Sequence, residues 1–141
     1  MYFQIITSGS LDEHIYLLGA DGTNEAIVID PGEAKPALDT LKRDGKTCVA
    51  VLLTHGHFDH IGGVRALKDE FGAKVYIHEA DAGMLKSNRM SLAVLTGQLG
   101  NPVEPDVLLT GGEQLSLAGL KLDVIHTPGH TKGGVCYVLT S

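Results

Sequence analysis

A mixed α/β domain, of the α+β kind, is the fold class this sequence predicts, on three observations. Residues 1–30 alternate apolar runs with turn signals, as an antiparallel meander does. Residues 47–78 read strand, helix, strand, the order of a parallel βαβ unit. Residues 114–139 return to short alternating runs between glycine pairs, a second antiparallel stretch. A chain of 141 residues is long enough for one domain with a real core and short for two, so residues 1–141 are read as a single domain.

Taken in order, Met1 to Thr7 and His14 to Gly19 read as two strands joined by a polar loop. Asp21-Gly22 turns the chain into a third strand, Glu25 to Asp30, which Pro31-Gly32 ends. Asp30, just before that turn, is placed to accept backbone N–H groups within it, a structural role. Ala37, Leu38 and Leu41 carry helical spacing over 34–43, with Gly45 as the stop. Thr47 to Thr54 is continuously apolar in its middle, as a strand covered on both faces requires. Val64 to Phe71 is a helix stopped by Gly72, and Lys74 to His78 the next strand. Glu79 to Lys86 suggests a short helix. Residues 87–105, with Gly97, Gly100, Pro102 and Pro105, read mostly as loop. Gln114–Leu117, Leu120–Ile125 and Val135–Leu139 are the last strands, and His126 to Thr131 the loop before the final one.

Composition narrows the classes. The net charge of −6, with 11 Lys+Arg, leaves no basic stripe to neutralise a phosphate backbone, so nucleic acid is not the expected partner. No run is long enough to span a bilayer, and the N-terminus lacks the basic and apolar regions of a signal peptide, so the cytoplasm is the expected location. Cys48 and Cys136 lie far apart in apolar segments without a CxxC pair, the pattern of buried reduced thiols.

The chemistry concentrates in Thr54-His55-Gly56-His57-Phe58-Asp59-His60-Ile61-Gly62-Gly63, which packs three histidines and a carboxylate into six residues at a strand end. In extended chain His55, His57 and Asp59 share one phase and His60 starts the other, so one short loop can address two neighbouring points. Imidazoles with a carboxylate suit Zn²⁺, and also Fe or Mn. A metal needs a ligand from elsewhere, and His130 in Thr-Pro-Gly-His-Thr, at the tip of a Pro-Gly turn, is the best remote candidate. His55, His57 and His130 would leave a fourth position open for water, whose pKa a metal lowers to about 7. Asp59 and His60 would flank a second metal, and Asp59 could also orient the hydroxide or carry its proton. His126 and His78 also end strands and are read as supporting residues; His14 has no metal-like surroundings.

Those residues resemble a known signature. Thr-His-Gly-His-Phe-Asp-His-Ile-Gly-Gly is similar to the HxHxDH motif of the metallo-β-lactamase superfamily, and Thr-Pro-Gly-His-Thr to its next ligand segment. Ile27-Val28-Ile29-Asp30-Pro31-Gly32 also matches, so the resemblance spans nearly the whole chain. His126 before the second segment and Gly133-Gly134-Val135-Cys136-Tyr137 after it resemble the glyoxalase II-like branch (hydroxyacylglutathione hydrolase-like). The resemblance implies an αβ/βα sandwich, here its first half plus the start of the second. It assigns His55, His57 and His130 to the first metal, with Asp59 and His60 serving the second. It also implies that a bridging aspartate and a last histidine fall beyond Ser141, so that the chain reads as incomplete and its second metal position as weak or empty.

The function implied is a metal-dependent hydrolase, with metal-bound hydroxide attacking a thioester or related acyl carbonyl and a small-molecule thiol conjugate as substrate. Two alternatives stand beside it: a non-haem iron persulfide dioxygenase, and a non-catalytic metal-binding or interaction module. An exposed sheet edge or apolar face on such a half-sandwich would invite association with a partner, a second copy included.

Overall fold

The computed structural model describes residues 1–8, 13–56, 63–83, 103–129 and 131–140. Six strands form one sheet in chain order: β1 Tyr2–Ser8, β2 Glu13–Gly19, β3 Glu25–Ile29, β4 Thr47–Leu52, β5 Lys74–His78 and β6 Val107–Leu109. The first three pair antiparallel, as the meander predicts. From β3 onward every pairing is parallel. Helices α1, Ala34–Arg43, and α2, Val64–Phe71, make the crossovers on either side of β4. A second, antiparallel sheet holds β7 Gln114–Leu117, β8 Leu120–His126 and β9 Val135–Leu139.

The continuous apolar run of β4 has its cause in this layering. Val51 and Leu53 pack with Ala37, Leu41, Val64 and Leu67 of the helices, whereas Ala50 and Leu52 pack with Leu120, Leu122 and Val124 of the small sheet. Alternate residues of one strand therefore feed two cores, and none can be polar. Helices, large sheet and small sheet stack in that order. The expected sandwich layering, helices against a mixed sheet with a second sheet on its other face, is the observed one.

Both helix stops are as expected. Gly45 and Gly72 sit at φ 66° and 67°, left-handed backbone that glycine adopts without strain. Three readings need correction. The segment after β5 begins with a 3₁₀ turn, Glu79–Asp81, in place of the start of a regular helix, and from residue 84 the predicted helix lies outside the described residues. Strand β6 follows Pro105 unforeseen, because three residues are too few to show a period. Cys48 is buried as expected, but Cys136 is exposed: β9 is an edge strand, and Cys136 lies opposite the exposed Ile125. No helix among the described residues is long and apolar enough to cross a membrane.

Candidate metal centre

Parallel pairing of β3, β4 and β5 brings their carboxyl ends to one edge of the large sheet, where loops of such sheets gather function. The histidine-rich loop leaves from the middle of the three. Each neighbouring strand end contributes a buried aspartate that grips it.

Asp30, directly after β3, is 4% exposed. Its Oδ1 accepts the Thr54 N–H at 2.8 Å, and its Oδ2 accepts the Thr54 hydroxyl. The sequence reading aimed this carboxylate at its own turn; it reaches across to β4 instead, and the turn is closed by the Gly32 N–H donating to the Asp30 carbonyl. Asp30 adopts φ 53°, a conformation aspartate tolerates better than most residues. At the far end of the loop the Gly63 N–H donates to the Pro31 carbonyl. A Cβ at Gly63 would stand 2.8 Å from backbone atoms of Pro31 and Glu33, so a glycine is required for that approach.

Asp81, in the 3₁₀ turn after β5, is fully buried. Its Oδ2 accepts the Gly56 N–H at 3.0 Å and the Thr131 hydroxyl at 2.6 Å, and its Oδ1 accepts the Gly133 N–H at 2.8 Å. One carboxylate thus holds both segments from which ligands were expected. Nothing in the local sequence of Asp81 marks this role: it lies in a stretch of weak helical pattern and its three partners are 25, 50 and 52 residues away.

The second segment is a compact turn. The Thr127 N–H donates to the Gly134 carbonyl, the Gly129 N–H to the Thr131 carbonyl, and His126 Nε2 to the Lys132 carbonyl. His126 also stacks on the buried His78, ring centroids 4.1 Å apart, and His78 Nδ1 accepts the Ala80 N–H at the start of the turn that carries Asp81. Both histidines therefore act as supports, the role their positions suggested. The turn is fastened to the loop's origin as well: the Val135 N–H donates to the Thr54 carbonyl, and the Tyr137 hydroxyl to the Leu53 carbonyl at 2.6 Å. Burial, with the negative charges of Asp30 and Glu113, pushes the Tyr137 phenol well above its ordinary range, which keeps it a neutral donor.

Of the five expected ligands, His55 lies on the described part of the loop and is half-buried. His57, Asp59, His60 and His130 lie outside the described residues. Among the described residues no three His, Cys, Asp or Glu side chains gather to hold a metal. What the structure brings together is the chain on both sides of the candidates: Gly56 sits between His55 and His57, and Thr131 follows His130, both on one carboxylate. The donor types in these segments suit a borderline cation such as zinc or iron.

A layered α/β fold with histidine-bearing loops at the strand ends defines a class of metal-binding domains, and comparison with known proteins makes it specific. Residues 9–141 match the model of the metallo-beta-lactamase superfamily, and the chain belongs to that family. It is 36% identical over 138 residues to the hydroxyacylglutathione hydrolase of Aeromonas salmonicida, covering 97% of this chain and 46% of that protein. The crystal structure of the BLEG-1 B3 metallo-beta-lactamase superposes with a TM-score of 0.87 at 40% identity, over 96% of this chain and 66% of that one. TTHA1623, crystallised in a di-iron-bound form, gives a TM-score of 0.82 at 32% identity, over 95% and 65%. The curated relatives are longer: this chain spans 62% of the length of a Mycobacterium tuberculosis relative of uncharacterised function, and under half of the Aeromonas hydrolase.

Proposed function

We propose that this chain supplies the metal-binding part of a hydrolase that acts on a thioester or a related acyl compound. The observation that carries the reading is the joint grip of Asp81 on Gly56 and Thr131, which unites two histidine-bearing segments 75 residues apart in sequence at one sheet edge. Hydrolysis of a thioester is favoured because the Aeromonas relative is a hydroxyacylglutathione hydrolase.

His55, His57 and His130 would hold the first ion, and Asp59 with His60 would serve a second. A metal bound there would supply Lewis acidity toward an acyl carbonyl and lower the pKa of a coordinated water. The rest falls to the chain. Asp30 and Thr54 fix where the loop departs from β4, Asp81 holds it at Gly56, and Gly63 fixes its exit on the Pro31 turn. Asp59 is the residue proposed to take the proton at its carboxylate.

A second reading is a non-haem iron persulfide dioxygenase using His55 and His130, for which the di-iron-bound form of TTHA1623 supports only the choice of iron. The deciding experiment is elemental analysis of purified protein with thioester hydrolysis and oxygen uptake measured on the same preparation. His57→Ala should lose bound metal and hydrolysis together. Undiminished hydrolysis in that variant would sink the hydrolase assignment, and iron with oxygen uptake would favour the second reading.

A further inference from the structure

We propose that Asp81 is a positioning residue that sets the separation between the His55–His57 segment and the His130 segment, and through it the affinity and geometry of the metal centre. The inference rests on the reading of these segments as metal-bearing. It concerns a residue that itself touches neither the metal nor the substrate.

Three observations carry it. First, the two Asp81 oxygens divide the work between segments: Oδ2 takes one donor from each, Gly56 at 3.0 Å and Thr131 at 2.6 Å, while Oδ1 takes Gly133 at 2.8 Å. The shared oxygen ties the two segments at one atom, nearer the histidines of the loop than the Val135–Thr54 and Tyr137–Leu53 bonds that also join them. Second, the Gly133 side of the contact leaves no room for a side chain. A Cβ on Gly133 would stand 2.7 Å from the Asp81 nitrogen and 2.8 Å from its Cγ and Oδ1, so the second segment is seated against Asp81 as closely as a backbone can be. Third, Asp81 is itself held: it is 0% exposed, and its turn is closed by the Ala80 N–H on His78 Nδ1. A fully buried carboxylate with three well-placed donors has no cheap alternative arrangement, because each lost bond leaves a polar group without water.

Residues that orient metal ligands from behind typically govern affinity by about 10–100-fold when changed. Asparagine fits the Asp81 site in size but offers one acceptor oxygen where the site needs two. Whichever way its amide turns, an NH₂ faces an N–H, Gly133 in one orientation and Gly56 in the other. One segment must shift.

The test is Co²⁺ titration of the metal-free protein, followed by the visible ligand-field band, with hydrogen exchange of the Gly56 and Gly133 amides read without metal. Asp81→Asn should bind Co²⁺ about 10–100-fold more weakly, with a displaced band and faster exchange at one of those amides. Thr131→Val, which removes only a hydroxyl, should weaken binding in the same direction, and Thr131→Ser should restore it. Asp106→Asn is the control, since Asp106 braces the Val75 N–H and the Lys68 ammonium at the opposite end of β5; it should lower stability and leave affinity and band unchanged. Wild-type affinity and band in both Asp81→Asn and Thr131→Val would overturn the inference while leaving the metal reading intact, and so would an equal loss in Asp106→Asn. Should Asp81→Asn fail to fold, Thr131→Val and Thr131→Ser still decide. A wild-type protein that binds no Co²⁺ would remove the metal reading and this inference together.

Discussion

Replacing Asp30 by alanine removes two acceptors and a residue suited to its backbone conformation at once. The Thr54 N–H and hydroxyl each lose a bond to a buried carboxylate, worth roughly 1.5–3 kcal/mol apiece when the acceptor is charged. Alanine at φ 53° adds about 1 kcal/mol of steric strain that aspartate partly escapes. The expected loss is about 4–7 kcal/mol, comparable with the roughly 5–15 kcal/mol that holds a domain folded. Asparagine should behave differently. Its amide can accept from the Thr54 N–H and donate to the hydroxyl, so both contacts persist without the charge, at a cost of about 2 kcal/mol. Urea unfolding followed by circular dichroism measures both: with m of about 1–3 kcal/mol/M, Asp30→Ala should move the midpoint by more than about 1 M, and Asp30→Asn by about half as much or less. A loss under about 1 kcal/mol in the alanine variant, or equal losses in the two, would refute the view that the carboxylate anchors Thr54.

Two further predictions follow from the chemistry of single groups. At pH 8 a maleimide should label one thiol of the native protein, the exposed Cys136, and both only after denaturation, because burial pushes the Cys48 thiol up to about 12; native labelling of Cys48 would contradict this. Burial alone would raise the carboxyls of Asp106 and Glu113, but the Val75 N–H and Lys68 ammonium outweigh it at Asp106, and the Thr110 and Gly111 N–H groups at Glu113, so both lie below their ordinary range. Groups with depressed folded values contribute stability that is full above the unfolded pKa of about 4 and is lost as pH falls through the folded values. Thermal midpoints from pH 6 to 2 should therefore fall less steeply in Asp106→Asn than in wild type, and identical acid limbs would refute the assignment.

How much of this was legible in the chain depends on how local its cause is. Gly45 and Gly72 announce their helix ends because left-handed backbone is a property of one residue. The apolar run of β4 announces burial on both faces because alternation fails within the run itself. The histidine cluster is legible for the same reason, as six adjacent residues carry it. The apolar neighbours of Cys136 in sequence suggest burial, whereas its exposure follows from the edge position of β9. Strand β6 leaves no local mark because its cause is distant: Tyr76, Ile77 and His78 pair with Val107, Leu108 and Leu109 across a long connection. Asp81 was invisible on the same ground, since its function is defined entirely by partners brought to it by the fold.

The loop's attachment shows why such a centre requires a whole domain rather than its motif. Beyond Leu52 the ladders of β4 with β3 and β5 come to an end, and each backbone group that follows needs another partner. The Leu53 N–H finds the Tyr76 carbonyl of β5, and the Leu53 carbonyl the Tyr137 hydroxyl of β9. The Thr54 N–H finds Asp30 after β3, the Thr54 carbonyl finds the Val135 N–H of β9, and the Gly56 N–H finds Asp81 after β5. Five bonds within four residues reach two strands, β5 and β9, and the acidic turns after β3 and β5. A slip of either sheet relative to the other must break some of these bonds and leave polar groups buried without partners, at about 1–3 kcal/mol each. Packing between the two cores and the placing of the histidine-bearing loop are therefore one energetic problem. A substitution at Leu122, in the small sheet where it shares a core with Leu52, is coupled to the histidine-bearing loop through the same bonds.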